Sequence, residues 1–396
     1  MATRILTLYV VPFLALMLLA TPAHSEGNAL LQRLQTMRNA SLLLEDNSGQ
    51  VLQSFRADQP MIPASTLKLL TALIALETWG ADHRFHTDFF LDDNNRLWIK
   101  GYGDPMLISE EIDLIVTALK NKGLKKIDGI GIDGSYFSSN IIIDGQSKTD
   151  NPYDASLGAL AANFNTIYVE HKKNSIQSAE SQTPLTPLAL KLATNNLKPG
   201  KYRINLGRQT DGAQYFAEVL REKLIQQDII VSGQIIKGEP PEKTSCFYRH
   251  HNSRPLSEII KAMLEYSNNF IANQLFLKLG AKKMGAPAGM EKSRQIFTRY
   301  IQTEFNWQGY RLVEGAGLSR NNRLSTQQLV DILKKLSPYA NLLPAQNSRI
   351  RAKTGTLQNI SSYAGYIQQA NHWKPFALII NQPIENGFRF RLAESL

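Results

Sequence analysis

Cysteine is almost absent from this chain. Cys246 is the only one among 396 residues, so no internal disulfide can form and stability must come from a buried core. No aromatic-Gly-Cys context surrounds it, which argues against a cysteine nucleophile. Histidine is also scarce and poorly spaced for metal. His83 and His86 stand three apart, His250 and His251 are adjacent, and no carboxylate-rich partner motif follows. Neither a metal nor a cofactor is expected. No internal repeat is evident, and beyond the first residues no apolar run is long enough to span a bilayer.

What is present begins with a leader. Arg4 gives a positive start, Ile5 to Ala20 is apolar, and Ala23-His24-Ser25 offers a small-x-small cleavage site, so residues 1–25 read as a secretory signal peptide. The apolar run is long and Pro12 interrupts it, which leaves an uncleaved anchor as the alternative. The formal charge is +10. A basic surface on an exported protein suits acidic envelope polymers or peripheral contact with anionic lipid headgroups, and it also serves plain solubility. Nucleic acid is not expected, because the basic residues are scattered, with only short runs such as Lys125-Lys126 and Lys282-Lys283.

Hydrophobic patterning suggests the organisation. Ser41–Glu45 and Val51–Phe55 flank Asp46-Asn47-Ser48-Gly49 as a hairpin. Ser65 to Trp79 is apolar nearly all round, the mark of a helix buried in a core, and Gly80 ends it. Another hairpin brackets Asp92–Asn95, followed by a helix near 109–121 and short strands near Ile127–Ile132 and Ile141–Ile143. Residues 171–187 read as a loop or the start of a small subdomain near 171–210. A helix over Tyr215–Gln227, strands near Ile229–Val231 and Ile235-Ile236, and a linker from Lys237 to Lys243 follow. The helical period resumes at Pro255, breaks at Ser267-Asn268-Asn269 and continues through Phe270-Ile271 and Leu275-Phe276, and a further helix spans roughly 290–304. Three strands close the chain, near 349–353, 363–367 and 376–380. The expected fold class is α/β (α+β): helices against an antiparallel sheet, formed by 26–85 and 251–396, with a long strand-rich insertion over 86–250.

Three clusters carry the chemistry. Ser65-Thr66-Leu67-Lys68 is the only S-x-x-K, and Lys353-Thr354-Gly355-Thr356 contains the only K-T-G. S-x-N recurs at Ser138 and Ser319, and order and context select Ser267-Asn268-Asn269. A serine hydroxyl needs a base, and an ordinary lysine is charged at neutral pH. Burial and a neighbouring cation lower a lysine pKa, which is a physical reason to place Lys68 one turn from Ser65 with Lys353 nearby. Ser267 can pass a proton to a leaving amine, and Asn269 can bond a substrate amide or hold Lys68. Lys353 and Thr354 suit a carboxylate, Gly355 leaves room beside a substrate backbone, and backbone N–H groups of Ser65 and Thr356 would form an oxyanion hole. Each cluster also has a bland reading: an N-cap serine with a surface lysine, a polar helix break, and an edge strand with a protective lysine.

These motifs, in this order, are those of penicillin-binding proteins and serine β-lactamases. With Pro63-Ala64-Ser65-Thr66, Gly103-Asp104-Pro105, Ile132–Phe137, Asn163-Phe164-Asn165 and Gly317–Arg320, the chain resembles a class C low-molecular-mass penicillin-binding protein. This is the D-alanyl-D-alanine carboxypeptidase/endopeptidase family. The long interval from Ser65 to Ser267 fits its inserted accessory domains, whereas β-lactamases keep these motifs closer. The resemblance implies a transpeptidase-like catalytic domain, a periplasmic location, peptidoglycan stem peptides as substrates and β-lactam antibiotics as covalent inhibitors. It also offers Asp154, after Pro152-Tyr153, as an acidic residue that the insertion presents to the site, although a loop aspartate in a turn reads equally well. Glu314-Gly315-Ala316-Gly317 departs from the Asp-Gly-Ser-Gly run usual in the family. A serine β-lactamase and a non-catalytic peptidoglycan-binding or scaffolding protein are the alternative functions.

Overall fold

A computed structural model describes residues 22–396 except 148, 174, 195–197, 208–211 and 370–371. The apolar leader Ile5–Ala20 lies outside the described residues, and Ala23-His24-Ser25 opens helix α1 (Pro22–Thr36). Strands β1 (Ala40–Glu45) and β2 (Val51–Phe55) form the expected hairpin. A 3-10 turn over Ala64–Leu67 leads into α2 (Lys68–Trp79), which Gly80 terminates at φ +80.

The chain then enters a second unit through β3 (His86–Leu91), β4 (Leu97–Gly101), α3 (Ser109–Asn121), β5 (Lys126–Ile127) and β6 (Ile130–Asp133). It continues with β7 (Thr166–Lys172), β8 (Ser175–Ser178), α4 (Pro187–Ala193), β9 (Gly200–Asn205) and α5 (Gly212–Gln226). Strands β10 (Ile230–Val231), β11 (Ile235–Lys237) and β12 (Cys246–His251) complete it. The chain returns with α6 (Leu256–Glu265), α7 (Asn269–Met284), α8 (Met290–Glu304) and α9 (Thr326–Leu336). It ends with β13 (Ile350–Leu357), β14 (Ile360–Gln369), β15 (His372–Ile380) and α10 (Phe388–Ser395).

The main sheet has the order β13-β14-β15-β1-β2, with every neighbouring pair antiparallel. Both of its faces are covered. Leu43, Ala364 and Ile379 join a core with α2, α6, α7 and α9, while Leu42, Leu44, Tyr363 and Phe376 pack with α1 and α10. That double burial is why β1 reads as a continuous apolar run rather than an alternating one. Helix α2 is the centre of the first core, with every residue from Lys68 to Leu76 buried. Each of its leucines contributes roughly 1.5–3 kcal/mol by leaving water.

The second unit centres on a mixed sheet, β11-β6-β4-β3-β12, beside a three-stranded sheet β8-β7-β9. One apolar cluster runs through it, from Phe89 and Ile99 to Ile167, Ala193, Ile204 and Leu220. Its first strand pairs with its last, His86 lying opposite His251. We propose on this packing the division into 26–85 with 251–396 around 86–250. The elements near 171–210 share the unit's core.

Local differences have local causes. Ile141–Ile143 is not a strand, because it finds no ladder partner; Ile142 is exposed and the segment leads to a docked loop. Residues 171–187 hold the β7–β8 hairpin and the start of α4, whose N-cap Thr186 accepts from Ala189 N at 3.1 Å. Helix α9 escapes the pattern reading although Ser325 and Gln328 form a reciprocal capping box.

Candidate active site

Lys68 organises the site. It begins α2, so its side chain lies wholly buried in the first core, one turn from Ser65 on the preceding 3-10 turn. Its Nζ is 3.0 Å from Ser65 Oγ, 2.8 Å from Asn269 Oδ1 and 2.7 Å from the Ala316 carbonyl. Burial pushes its pKa well below the ordinary lysine value, and Lys353 pushes it the same way; the Glu314 charge opposes both. A neutral amine has two N–H groups and one lone pair. Asn269 Oδ1 and the Ala316 carbonyl can only accept, so they take the two hydrogens and leave the lone pair facing the Ser65 hydroxyl. The N-cap reading of Ser65 fails, since no side-chain cap bond forms at either helical start, and the surface reading of Lys68 fails with it.

Two glycines hold the Ser65 turn from opposite sides. Gly317, at φ +82, crosses behind Ala64 so closely that a β-carbon there would collide with the Ala64 carbonyl. Gly355 faces the Ser65 amide, and a β-carbon there would stand 2.9 Å from the nitrogen and 3.0 Å from the Pro63 carbonyl. Ala64 itself sits at φ +48, a strained setting for a residue with a β-carbon. Gly355 belongs to β13, the outermost strand of the sheet, in register with Ser362 of β14; Ser362 Oγ also donates to the Pro63 carbonyl at 2.6 Å.

Lys353 is buried too, unlike a protective edge lysine, and its Nζ donates to the Thr354 carbonyl at 2.7 Å. Burial, with Arg389 adding to it, brings its pKa down to about 8. Thr356 follows on the exposed end of the strand, opposite Ser361. Ser267 is half-buried in the turn between α6 and α7 at φ +51, and Asn268 caps α7 by accepting from Ile271 N at 3.0 Å. The structure therefore joins Ser65, Lys68 and Asn269 directly, sets Gly355 against Ser65, and holds Ser267 two residues from Asn269.

Asp154 does not join them. Its carboxylate accepts from Ser147 N at 2.9 Å and Thr149 Oγ1 at 2.6 Å, both in its own loop. The loop nevertheless reaches the site through its neighbour: Asn269 Nδ2 donates to the Tyr153 carbonyl at 3.4 Å. A second anchor is Asp144, which accepts from Ser319 Oγ and from Asn321 Nδ2 at 2.9 Å.

Two residues escaped the sequence reading. Glu314 is a buried carboxylate that accepts from Ala316 N at 2.7 Å, Gly317 N at 2.8 Å, Asn322 Nδ2 at 2.8 Å and Asn273 Nδ2 at 3.1 Å. These bonds curl residues 314–317 so that the Ala316 carbonyl meets Lys68 and the Gly315 carbonyl accepts from Thr71 Oγ1 at 2.7 Å. A lone carboxylate in a Gly-Ala-Gly run was the available signal. Arg389 on α10 donates to the Gly355 carbonyl at 2.8 Å and Thr356 Oγ1 at 3.0 Å, with nothing in its local sequence to announce it.

Comparison with known proteins gives a consistent result. The model of the D-Ala-D-Ala carboxypeptidase 3 (S13) family matches residues 28–196 and 199–344, which include Ser65 and Ser267. A D-alanyl-D-alanine carboxypeptidase of Actinomadura sp. (strain R39) is 24% identical, over 99% of this chain and 91% of that protein. The D-alanyl-D-alanine carboxypeptidase DacB of Haemophilus influenzae is 25% identical, over 92% and 89%. The crystal structure of penicillin binding protein 4 (dacB) from H. influenzae superposes with a TM-score of 0.73 at 20% identity. It covers 93% of this chain and 97% of that one, and so shows the same fold.

Proposed function

The chain belongs to the D-Ala-D-Ala carboxypeptidase 3 (S13) family of serine-type carboxypeptidases, and from that premise we propose that it works through an acyl-enzyme on Ser65. The observation that carries this reading is the buried Lys68 amine 3.0 Å from Ser65 Oγ, with its other two bonds going to acceptors.

In the proposed cycle Lys68 takes the Ser65 proton as Oγ attacks the penultimate D-alanine carbonyl. The N–H groups of Ser65 and Thr356 stabilise the oxyanion. Collapse breaks the C–N bond, and the proton returns through Ser267 to the leaving amine, freeing D-alanine. Water then attacks the ester, Lys68 takes its proton, and the shortened peptide leaves with a new carboxylate. Asn269 orients the acyl-side amide, and Lys353, Thr354 and Gly355 receive the C-terminal end of the substrate along β13. Penicillins acylate the same serine. The reading extends to D-alanyl-diaminopimelyl crosslinks and to a periplasmic location reached through the N-terminal leader; among the described residues no helix is long and apolar enough to cross a membrane.

Fluorescent penicillin should label the protein and leave Ser65→Ala unlabelled, and D-alanine should be released from a D-alanyl-D-alanine pentapeptide only by the unsubstituted protein. No label on that protein would sink the reading. Rapid penicillin turnover would instead indicate a β-lactamase. A crosslinked muropeptide digest then separates carboxypeptidase from endopeptidase activity.

A further inference from the structure

The Asn163-Phe164-Asn165 stretch of the inserted unit turns in an unusual way. All three residues have positive φ, at +49, +59 and +52. Asparagine tolerates the left-handed region, but a bulky side chain there is strained and persists only where its surroundings impose it. Here they do. Asn163 N donates to the Leu107 carbonyl at 3.1 Å, while its side chain accepts from Ser109 N at 2.8 Å and donates to Ser109 Oγ at 2.9 Å. On the other flank Asn165 Nδ2 donates to the Ser156 carbonyl at 2.7 Å, and the Asn165 carbonyl accepts from Leu206 N at 3.0 Å. Pinned at both ends, the turn aims Phe164 away from its own unit and onto the first core.

The ring meets Phe270 edge to face, with centroids 6.1 Å apart. Phe270 lies in the first turn of α7, next to Asn269, whose amide oxygen holds Lys68. Phe270, Gln274 and Lys278 recur every four residues and so share one face of α7. The second unit runs along that face. Phe164 packs on Phe270, the Gly158 carbonyl accepts from Gln274 Nε2 at 2.9 Å, and the Tyr102 carbonyl accepts from Lys278 Nζ. The first turn needs such support, because Ser267 before it sits at φ +51. Phe164 also borders a cleft of about 400 Å³ with Met106, Tyr266 and Asn268, so close packing does not hold the ring on that side and its aim depends on the turn.

We propose that Phe164 is a positioning residue: its ring fixes the first turn of α7 and, through Phe270, the aim of Asn269 at Lys68. The inserted unit is then a working part of the site. The inference deepens the peptidase reading and rests on it.

The test uses the full chain. Phe164→Ala should slow acylation by fluorescent penicillin by about tenfold or more at the top of its pH profile. An amide oxygen holds a charged ammonium more strongly than a neutral amine, so losing its aim favours the neutral form and the rising limb should move to lower pH. Lys353 and Glu314, the charged groups that act on Lys68, are untouched by the substitution. Loss of stability alone would leave the limb in place. In an Asn269→Ala background the same substitution should change the rate by less than about twofold, because the group it acts through is gone. Phe164→Gly relieves the backbone and should melt no lower than Phe164→Ala while acylating as slowly; it replaces Phe164→Ala should that variant fail to fold. Equal slowing with and without Asn269, or an unmoved limb, would overturn the proposal.

Hydrogen exchange adds a reading that needs no chemistry. Amides of residues 269–274 should exchange about tenfold faster or more in Phe164→Ala, with those of α8 unchanged. Unchanged exchange over 269–274 would overturn the proposal as well. Faster exchange there, in a protein that penicillin never acylates, would keep Phe164 as the residue that sets Asn269 and sink the acyl-enzyme reading.

Discussion

Lys68 Nζ and Asn269 Oδ1 lie 2.8 Å apart although 201 positions separate them in the chain. The bond decides which way the amine faces, because an amide oxygen accepts and cannot donate. Asn269 Nδ2 is turned outward to the Tyr153 carbonyl, so the same side chain links the amine to the inserted unit.

Replacing that amide by a carboxylate changes the charge and preserves the shape. Asn269→Asp should raise the Lys68 pKa, keep the amine protonated at neutral pH and slow acylation by roughly 10²-fold or more. Penicillin acylation rates measured across pH should show the rising limb displaced upward. An unmoved limb would mean that another group sets it.

The pH profile of the unsubstituted protein should be bell-shaped. Lys68 is useful when neutral, so activity rises as pH passes its depressed pKa. Lys353 is useful when charged, so activity falls as pH passes about 8. Lys353→Arg keeps its charge far above that value and should remove the falling limb from kcat/KM against D-alanyl-D-alanine peptides.

Glu314→Gln tests the carboxylate that curls residues 314–317. A glutamine offers one acceptor oxygen where two are used, and its NH₂ group would face N–H donors. Stability should fall by about 1–3 kcal/mol, read from urea denaturation. Acylation should slow as well, because the Ala316 carbonyl loses its setting.

Gly317→Ala attacks the Ser65 turn from behind. The added carbon meets the Ala64 carbonyl at a positive φ, so the turn must shift. The cost should exceed about 1 kcal/mol, and penicillin acylation should fall more steeply than the melting temperature alone explains. A variant that melts lower yet acylates at the normal rate would show that the turn tolerates the shift.

Much of this was legible in the chain. Ser65 and Lys68 share a helical face by spacing alone, and the unbroken apolar run of α2 announces burial. The break at Ser267 and the strand at Lys353 follow from a change of period. What escaped was whatever depends on tertiary partners. Asp154 looks available in sequence, yet Ser147 and Thr149 use its carboxylate. Ile141–Ile143 has strand composition and no neighbour to pair with. Glu314 and Arg389 act through backbone groups folded onto them from elsewhere, and no local pattern encodes that.

The pairing of β3 with β12 has a topological consequence. Because His86 stands opposite His251, the ends of the intervening segment emerge side by side, separated by about 5 Å, the spacing of neighbouring strands. A tight turn of a few residues could bridge that gap, so the polypeptide around Ser65 can be rejoined without stretching. In genetic terms the segment is a cassette with adjacent ends: its length can change without pulling apart the two strand ends that enter and leave the frame carrying Ser65, Lys68 and Lys353.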